Sequence, residues 1–185
     1  MPKTIVGVMG ASEADALAES ERDRLKAIAV RLGALLAEHD CILMTGATTG
    51  LPHLVCGAFR ERGGFSIGVS PGSDRKEHVE RFGLPLDGSD AVIYTGFGLK
   101  GRNVVNVRSA DVVIILGGAT GTLNEFTIAY DEGKIIGVLE GTGGVADHAR
   151  EIIEFCKKPT RGAVFFDFDP DRLIRRCIAA HRDRH

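Results

Sequence analysis

The residues from Leu116 to Glu125, LGGATGTLNE, combine types and spacing suited to chemistry. An apolar run ends at Leu116, and a helix-like pattern begins at Thr122. Glycines let a backbone approach a ligand closely, and the first N–H groups of a helix have no partner within it. This order of strand, glycine turn and helix therefore predicts an anion site. A carboxylate repels a phosphate, so we expect Glu125, about one turn into the helix, to act on another part of the ligand.

Arg102 is the second candidate, because it follows a glycine-rich segment at 96–101 and begins a predicted helix. A guanidinium suits phosphate or ribose oxygens, although an isolated arginine is more often solvated or in a surface ion pair. The segment also matches G-x-G-x-x-G, the dinucleotide pattern. That interpretation requires an acid at the end of the next strand, which here ends at Leu116 and Gly117, and a longer helix than the one predicted at 103–109. We therefore expect a flexible glycine loop over the site.

Hydrophobic periodicity predicts a doubly wound, mostly parallel, Rossmann-like α/β sheet in a single domain, residues 1–185. Short apolar runs predict strands at 4–9, 41–44, 65–69, 91–95, 111–116, 135–139 and 164–168. Helical patterns occur at 19–38, 50–62, 103–109, 122–131, 147–156 and 171–181, with a short helix and a loop in 74–90. Right-handed crossovers place the carboxyl ends of such strands along one edge, where ligands bind. Four glycines follow strands at this edge, Gly10, Gly46, Gly96 and Gly117.

Composition narrows the function classes. The 23 Lys and Arg against 25 Asp and Glu give a net charge of −2, which favours neither a nucleic-acid nor a membrane partner. No apolar run approaches the roughly 18 residues of a membrane span, and none resembles a signal peptide, so we expect a cytoplasmic protein. The four cysteines fit no zinc spacing, and His53 and His78 are isolated. We expect reduced thiols, no metal site and no cofactor.

The segment 118–125, GATGTLNE, resembles the PGGxGTxxE signature of the lonely-guy (LOG) family. In that family an arginine precedes the final glutamate by 23 positions, as Arg102 precedes Glu125 here. The segments TGATTGL at 45–51 and MGAS at 9–12 resemble two further family turns, so the resemblance spans about residues 4–140.

The chain also departs from the LOG pattern. Gly117 replaces a proline, Ala119 a glycine, Asn103 a lysine and Pro52 a methionine. These substitutions resemble a side branch that includes molybdenum-cofactor carrier proteins and proteins labelled as lysine decarboxylases. Lysine decarboxylation needs a lysine in a pyridoxal Schiff-base setting, which neither Lys100 nor Lys134 offers.

The resemblance implies cleavage of the N-glycosidic bond of a nucleoside 5′-monophosphate, releasing a base and ribose 5-phosphate. Glu125 would then stabilise the oxocarbenium-like transition state and position or activate water, and Arg102 would orient the ribose or assist the leaving base. The residues expected to bind the phosphate and the rest of the nucleotide are Gly10, Ser12, Thr45, Gly46, Gly96, Gly117, Gly118, Thr120, Gly121 and Thr122.

Two other functions use the same phosphate site. One is a non-enzymatic carrier of a phosphorylated pterin such as the molybdenum cofactor, which would need neither Arg102 nor Glu125 for chemistry. The other is a nucleotide sensor. We favour hydrolysis because both residues are present. The resemblance also implies a homodimer formed through helices that flank the sheet, with a pocket that borrows residues from the partner.

Overall fold

The computed structural model of the chain describes residues 2–12 and 19–184. Its strands are β1 Thr4–Gly10, β2 Cys41–Thr45, β3 Phe65–Ser70, β4 Ala91–Tyr94, β5 Val112–Leu116, β6 Ile135–Leu139 and β7 Ala163–Asp167. Its helices are α1 Glu19–Leu36, α2 Leu51–Arg60, α3 Arg75–Glu80, α4 Gly98–Ser109, α5 Thr120–Asp131, α6 Gly144–Cys156 and α7 Pro170–Arg182. Every strand pair is parallel, so the predicted doubly wound α/β class is confirmed and the sheet is entirely parallel.

Helices cover the sheet on both faces, as a parallel sheet requires. One core packs α1, α2 and α7 against β1, β2, β5 and β6, with Leu32, Val55 and Leu173 fully buried. The other core packs α4, α5 and α6 on the opposite face, around Val107 and Phe126. All residues of β5 and β6 are buried as a result, which explains why these two strands are continuous apolar runs in the sequence.

The strand order β4-β3-β2-β1-β5-β6-β7 reverses direction between β1 and β5. The chain winds outward from β1 to β4 and then returns to the centre at β5. At this switch point the loops that follow the two neighbouring strands diverge, and ligands bind in the crevice between them. The two strands stay close at their ends, where Ala11 N donates to Leu116 O at 3.2 Å. A Cβ at Gly10 would overlap that carbonyl, so the approach requires a glycine.

The structure corrects the prediction for α4. This helix begins at Gly98 rather than Asn103 and has 12 residues, so the argument that it is too short for a dinucleotide site is wrong. Gly98 N donates to Pro71 O at 3.0 Å, a tertiary contact that fixes the start of the helix despite its glycines. The missing acid after β5 still argues against a dinucleotide site.

Within residues 2–12 and 19–184, no helix has the length and apolarity needed to cross a bilayer.

Candidate functional site

A cavity of about 680 Å³ opens at the carboxyl edge of the sheet, around the switch point between β1 and β5. Its walls come from the segments that follow β1, β2, β5 and β6 and from the first turns of α4 and α5. Apolar side chains, including Leu25, Pro52 and Leu99, form part of the wall. The polar groups lie together beside α5. An apolar wall with a few polar groups is typical of small-molecule sites.

The amino end of α5 faces this cavity. Ala119 is the N-cap residue and makes no side-chain hydrogen bond to the helix. Leu123 N donates to Ala119 O at 2.9 Å, so among the described residues the N–H groups of Gly121 and Thr122 precede the first helical hydrogen bond. Both residues line the cavity, and a Cβ at Gly121 would lie 3.9 Å from Lys100 Nζ. Free N–H groups, the helix dipole and a lysine therefore make this position attractive to an anion.

The preceding turn depends on Gly118, whose φ is +100°. A Cβ there would lie 2.6 Å from Thr122 Cγ2. Glycine at 118 thus allows the turn to fold back against the helix start and leaves room for the Thr122 side chain.

Arg102 and Glu125 meet inside the same cavity. Arg102 Nη1 lies 3.3 Å from Glu125 Oε1, and each residue is only 6% exposed. The two side chains come from α4 and α5, which pack against each other. Gly46, at the end of β2, makes room for the guanidinium, because a Cβ at this position would lie 2.5 Å from Arg102 Cζ.

Two asparagines surround this ion pair. Asn103 Oδ1 accepts a hydrogen bond from Arg102 Nη1 at 3.1 Å, and its Nδ2 donates to Asn124 Oδ1 at 2.9 Å. Asn106, one turn after Arg102, donates from Nδ2 to Glu125 Oε1 at 3.4 Å. The ion pair is therefore held by amides that extend from α4 to α5.

Burial dominates the electrostatics of the pair. Desolvation raises the pKa of the Glu125 carboxyl above its ordinary value, and Arg102, Asn106 and Lys100 oppose this effect. Arg102 Nε and Asn106 Oδ1 are buried without a hydrogen-bond partner among the described residues. Buried charges and unpaired polar atoms are costly to a fold, so this cluster has the character of a functional site.

The structure brings most of the predicted site residues to the cavity wall. They are Gly10, Ser12, Gly46, Arg102, Gly118, Gly121, Thr122 and Glu125.

Four predicted binding residues do not line the cavity. The buried Thr45 hydroxyl accepts from Ala47 N at 3.3 Å, and Gly117 N donates to Thr142 Oγ1 at 2.9 Å. Gly96 is exposed, and its N–H donates at 2.9 Å to Gly72 O in the loop after β3. Thr120 is exposed at the first position of α5.

Sequence reasoning missed the loop after β6 and the first residue of α6, where Thr142, Gly143 and Gly144 line the cavity. Val145 N donates to Gly118 O at 2.9 Å, so this loop also braces the turn before α5. The signal was present in the sequence, since GTGG follows a predicted strand in the same way as the other glycine turns. Asn103, Asn106 and Lys100 were missed as well, although all three lie within one helical turn of Arg102.

The family model described as "SLOG cluster4 family" matches residues 3–174. This chain belongs to that family. The family lies within the LOG-like Rossmann group, which confirms the resemblance seen in the sequence.

Three proteins are similar to this SLOG cluster4 chain over most of its length. A protein of Archaeoglobus fulgidus, described as uncharacterized, is 32% identical over 157 residues, which cover 82% of this chain and 93% of that protein. The crystal structure of TM1055 matches with a TM-score of 0.80 at 26% identity, covering 95% of this chain and 98% of that one. The molybdenum-cofactor (Moco) carrier protein of Chlamydomonas reinhardtii matches with a TM-score of 0.75 at 28% identity, covering 100% of both chains.

Proposed function

We propose that this protein binds a nucleoside 5′-monophosphate and hydrolyses its N-glycosidic bond. The observation that carries the proposal is the buried pair of Arg102 and Glu125 in one cavity with the uncapped amino end of α5. A carboxylate close to an anion site is repelled by a bound phosphate. A ligand that separates its anion from a centre of developing positive charge removes this conflict.

The phosphate binds at the amino end of α5 in this proposal. The N–H groups of Gly121 and Thr122, the Thr122 hydroxyl and the Lys100 ammonium supply donors and positive charge. The ribose then extends toward Glu125, deeper along α5, and the base lies against the apolar wall at Pro52 and Leu99.

Glu125 acts at the anomeric carbon. As the bond from C1′ to the base nitrogen breaks, its electron pair leaves with the base and positive charge develops at C1′. The carboxylate stabilises that charge and accepts a proton from the water whose oxygen bonds to C1′. A proton passes to the leaving base nitrogen, and Glu125 releases the one it accepted, so that the net reaction adds one water across the bond and restores the carboxylate. Burial raises the pKa of Glu125, and Arg102 opposes this effect, so it favours the ionised carboxylate; its remaining donors orient the ribose or assist the leaving base.

The second candidate is a carrier that binds a phosphorylated pterin without changing it. The full-length similarity to the Chlamydomonas reinhardtii carrier favours this function. Asn103 favours it too, because it replaces the lysine of the LOG pattern with a neutral amide. The carrier would use the same α5 anion site, and the apolar wall would contact the pterin ring. In either case we propose a single nucleotide- or pterin-binding domain acting as a cytoplasmic homodimer.

A nucleotide panel tests the first candidate. The purified protein is incubated with the common ribonucleoside and deoxyribonucleoside 5′-monophosphates, and the released sugar phosphate and free base are measured by chromatography. We expect turnover with at least one monophosphate and none with the matching nucleoside. Glu125→Gln should lower turnover by about 10²- to 10⁴-fold, the usual contribution of a general base.

The matched control is Glu132→Gln, the same substitution at the other end of α5. Glu132 pairs with Arg108 and lies outside the cavity wall, so this variant should keep full turnover. Hydrolysis that survives Glu125→Gln contradicts the proposed mechanism. If no monophosphate is cleaved and mass spectrometry finds a pterin that co-purifies with the protein, the carrier is the correct function.

A further inference from the structure

Asn106 is a buried amide that the proposed mechanism leaves unassigned. It is 0% exposed and lies one turn after Arg102 on α4. Its Nδ2 donates to two acceptors, Met9 Sδ at 3.1 Å and Glu125 Oε1 at 3.4 Å. Thioether sulfur is a weak acceptor, so the carboxylate is the stronger partner of this amide.

Both hydrogen bonds to Glu125 end on one oxygen. Arg102 Nη1 and Asn106 Nδ2 each donate to Oε1, and Oε2 accepts no hydrogen bond from residues 2–12 and 19–184. Glu125 lines the cavity. The two carboxylate oxygens thus have different surroundings, with one anchored in protein and the other available to a ligand.

We infer that Asn106 is a positioning residue, which together with Arg102 fixes Oε1 of Glu125 so that Oε2 faces the reacting group. This inference rests on the proposed function for the identity of that group. Oε1 is then the oxygen that the protein anchors, and Oε2 is the oxygen that reacts. Asn106 also helps to determine the charge state of Glu125.

The unpaired oxygen of Asn106 supports this assignment. A rotation of the amide by half a turn would bring Oδ1, now without a described partner, toward Glu125 Oε1. Two acceptors would then face each other, which is unfavourable while Glu125 is ionised and favourable only when Oε1 carries a proton. The observed orientation therefore matches an Oε1 that carries no proton and accepts from both donors.

The Asn106 amide affects the pKa of Glu125 separately from the charges nearby. Arg102 and Lys100, both on α4, favour the ionised carboxylate by Coulomb attraction, and Met9 on β1 adds no charge. The Asn106 hydrogen bond acts in the same direction, whereas desolvation acts against it. Removing the amide should consequently raise the pKa of Glu125, although both cations remain.

A direct titration tests the inference independently of turnover. The side-chain carboxyl carbons of glutamate are labelled with ¹³C, and Glu125 is followed by NMR against pH in the wild type, Asn106→Leu and Thr127→Val. Leucine has the same branching and number of side-chain heavy atoms as asparagine and cannot donate. We expect the pKa of Glu125 to rise by about one unit in Asn106→Leu, as on loss of one hydrogen bond to a charged form. Thr127, whose hydroxyl donates to the Asn124 backbone carbonyl at 3.0 Å outside the cavity wall, serves as the control and should leave the value unchanged.

A wild-type measurement covers the case in which Asn106→Leu fails to fold. The side-chain ¹⁵N and amide proton signals of Asn106 should titrate with the same midpoint as the Glu125 carboxyl. A flat amide signal, or an unchanged pKa in a folded Asn106→Leu, overturns the inference.

The two proposals fail separately. If no nucleotide is cleaved but the pKa rises as expected, the hydrolase is wrong and the anchoring of Oε1 stands. If hydrolysis proceeds, its acid limb in Asn106→Leu should move upward by the same interval as the NMR titration, and an unmoved limb contradicts a positioning role.

Discussion

Two arginine–carboxylate pairs in this molecule differ in almost every respect. Arg172 contacts Asp167 through two hydrogen bonds, 2.6 and 3.0 Å long, and the arginine side chain is 68% exposed. Arg102 contacts Glu125 through one atom at 3.3 Å, and both side chains are 8% exposed. The exposed pair has the better geometry and the buried pair the poorer one.

The pKa directions follow the same contrast. Hydrogen bonds from Arg172 and from Asp169 N lower the pKa of Asp167 to about 2. Burial raises the pKa of Glu125, although an arginine stands beside it. Stability alone favours the arrangement at Asp167, so the arrangement at Glu125 lowers the free energy of unfolding. That cost is typical of a site shaped for a ligand.

Of the two ion pairs, the buried one at the cavity should lose the most stability when its arginine is removed. Arg102→Met leaves a buried carboxylate without its countercharge, and we expect a loss of about 3–5 kcal/mol in the free energy of unfolding at pH 8. The loss should shrink as the pH falls and Glu125 becomes neutral by protonation, since burial raises the pKa of this carboxyl. Arg172→Met should cost far less, since solvent screens an exposed pair. Urea titration followed by circular dichroism measures both.

The double variant Arg102→Met, Glu125→Leu serves as the control for that prediction. Replacing both members by apolar side chains should recover most of the stability, because neither charge is then left alone. If the double variant is as unstable as the single one, the loss comes from packing rather than from an unpaired charge.

The sequence was sufficient to predict the sheet, and the resemblance to the LOG pattern selected Arg102 and Glu125 as residues of one site. Strands such as Ile135–Leu139 are uninterrupted apolar runs, and the glycine turn before α5 is a local signal. The start of α4 was missed because Gly98 and Gly101 disfavour a helix locally, whereas the contact of Gly98 N with Pro71 O is tertiary. Partners distant in sequence decide such a boundary.

The amides around the ion pair were missed for a related reason. Asn103 and Asn106 look like ordinary polar positions of a helix until α5 packs against α4. Their partners, Asn124 and Glu125, lie about 20 residues further along the chain. Gly96 shows the converse. Its place after a strand predicted a cavity residue, whereas in the structure it is exposed, lies outside the cavity wall and donates to Gly72 O.

A glycine substitution separates site geometry from fold stability. Gly46→Ala would place a methyl group 2.5 Å from Arg102 Cζ and displace the guanidinium from Glu125. We expect turnover, or ligand affinity in the carrier case, to fall by about 10²-fold, since small misplacements in a site are that costly. The assay of the nucleotide panel, or calorimetric binding of the co-purified ligand, measures the change.

Gly57→Ala is the matched control. Gly57 lies within α2, where a new Cβ would meet nothing within 4 Å. This change should raise the free energy of unfolding by about 0.5–1 kcal/mol through helix propensity and leave the site intact. An equal loss of function in both variants would show that the effect does not arise at Arg102.

The smallest expected effects are opposite slopes of stability against pH. The folded-state pKa of Asp167 is about 2, below the roughly 3.9 of an unfolded aspartate, so its stabilising contribution is present above pH 4 and lost as the pH falls toward 2. Glu125 has a raised folded-state pKa, so the unfolded chain ionises first, and stability falls as the pH rises from about 4.3 toward the folded value.

Two amide variants isolate these slopes in urea titrations between pH 2 and 8. Asp167→Asn should flatten the loss on the acid side, and Glu125→Gln should remove the decline above pH 4. Each slope is at most about 1.4 kcal/mol per pH unit for one group. Salt should weaken the Asp167 slope, whose partner Arg172 is exposed, and affect the Glu125 slope much less. Equal salt sensitivity of the two slopes would mean that water screens Arg102 and Glu125 as fully as the surface pair, which contradicts a buried, ligand-shaped site.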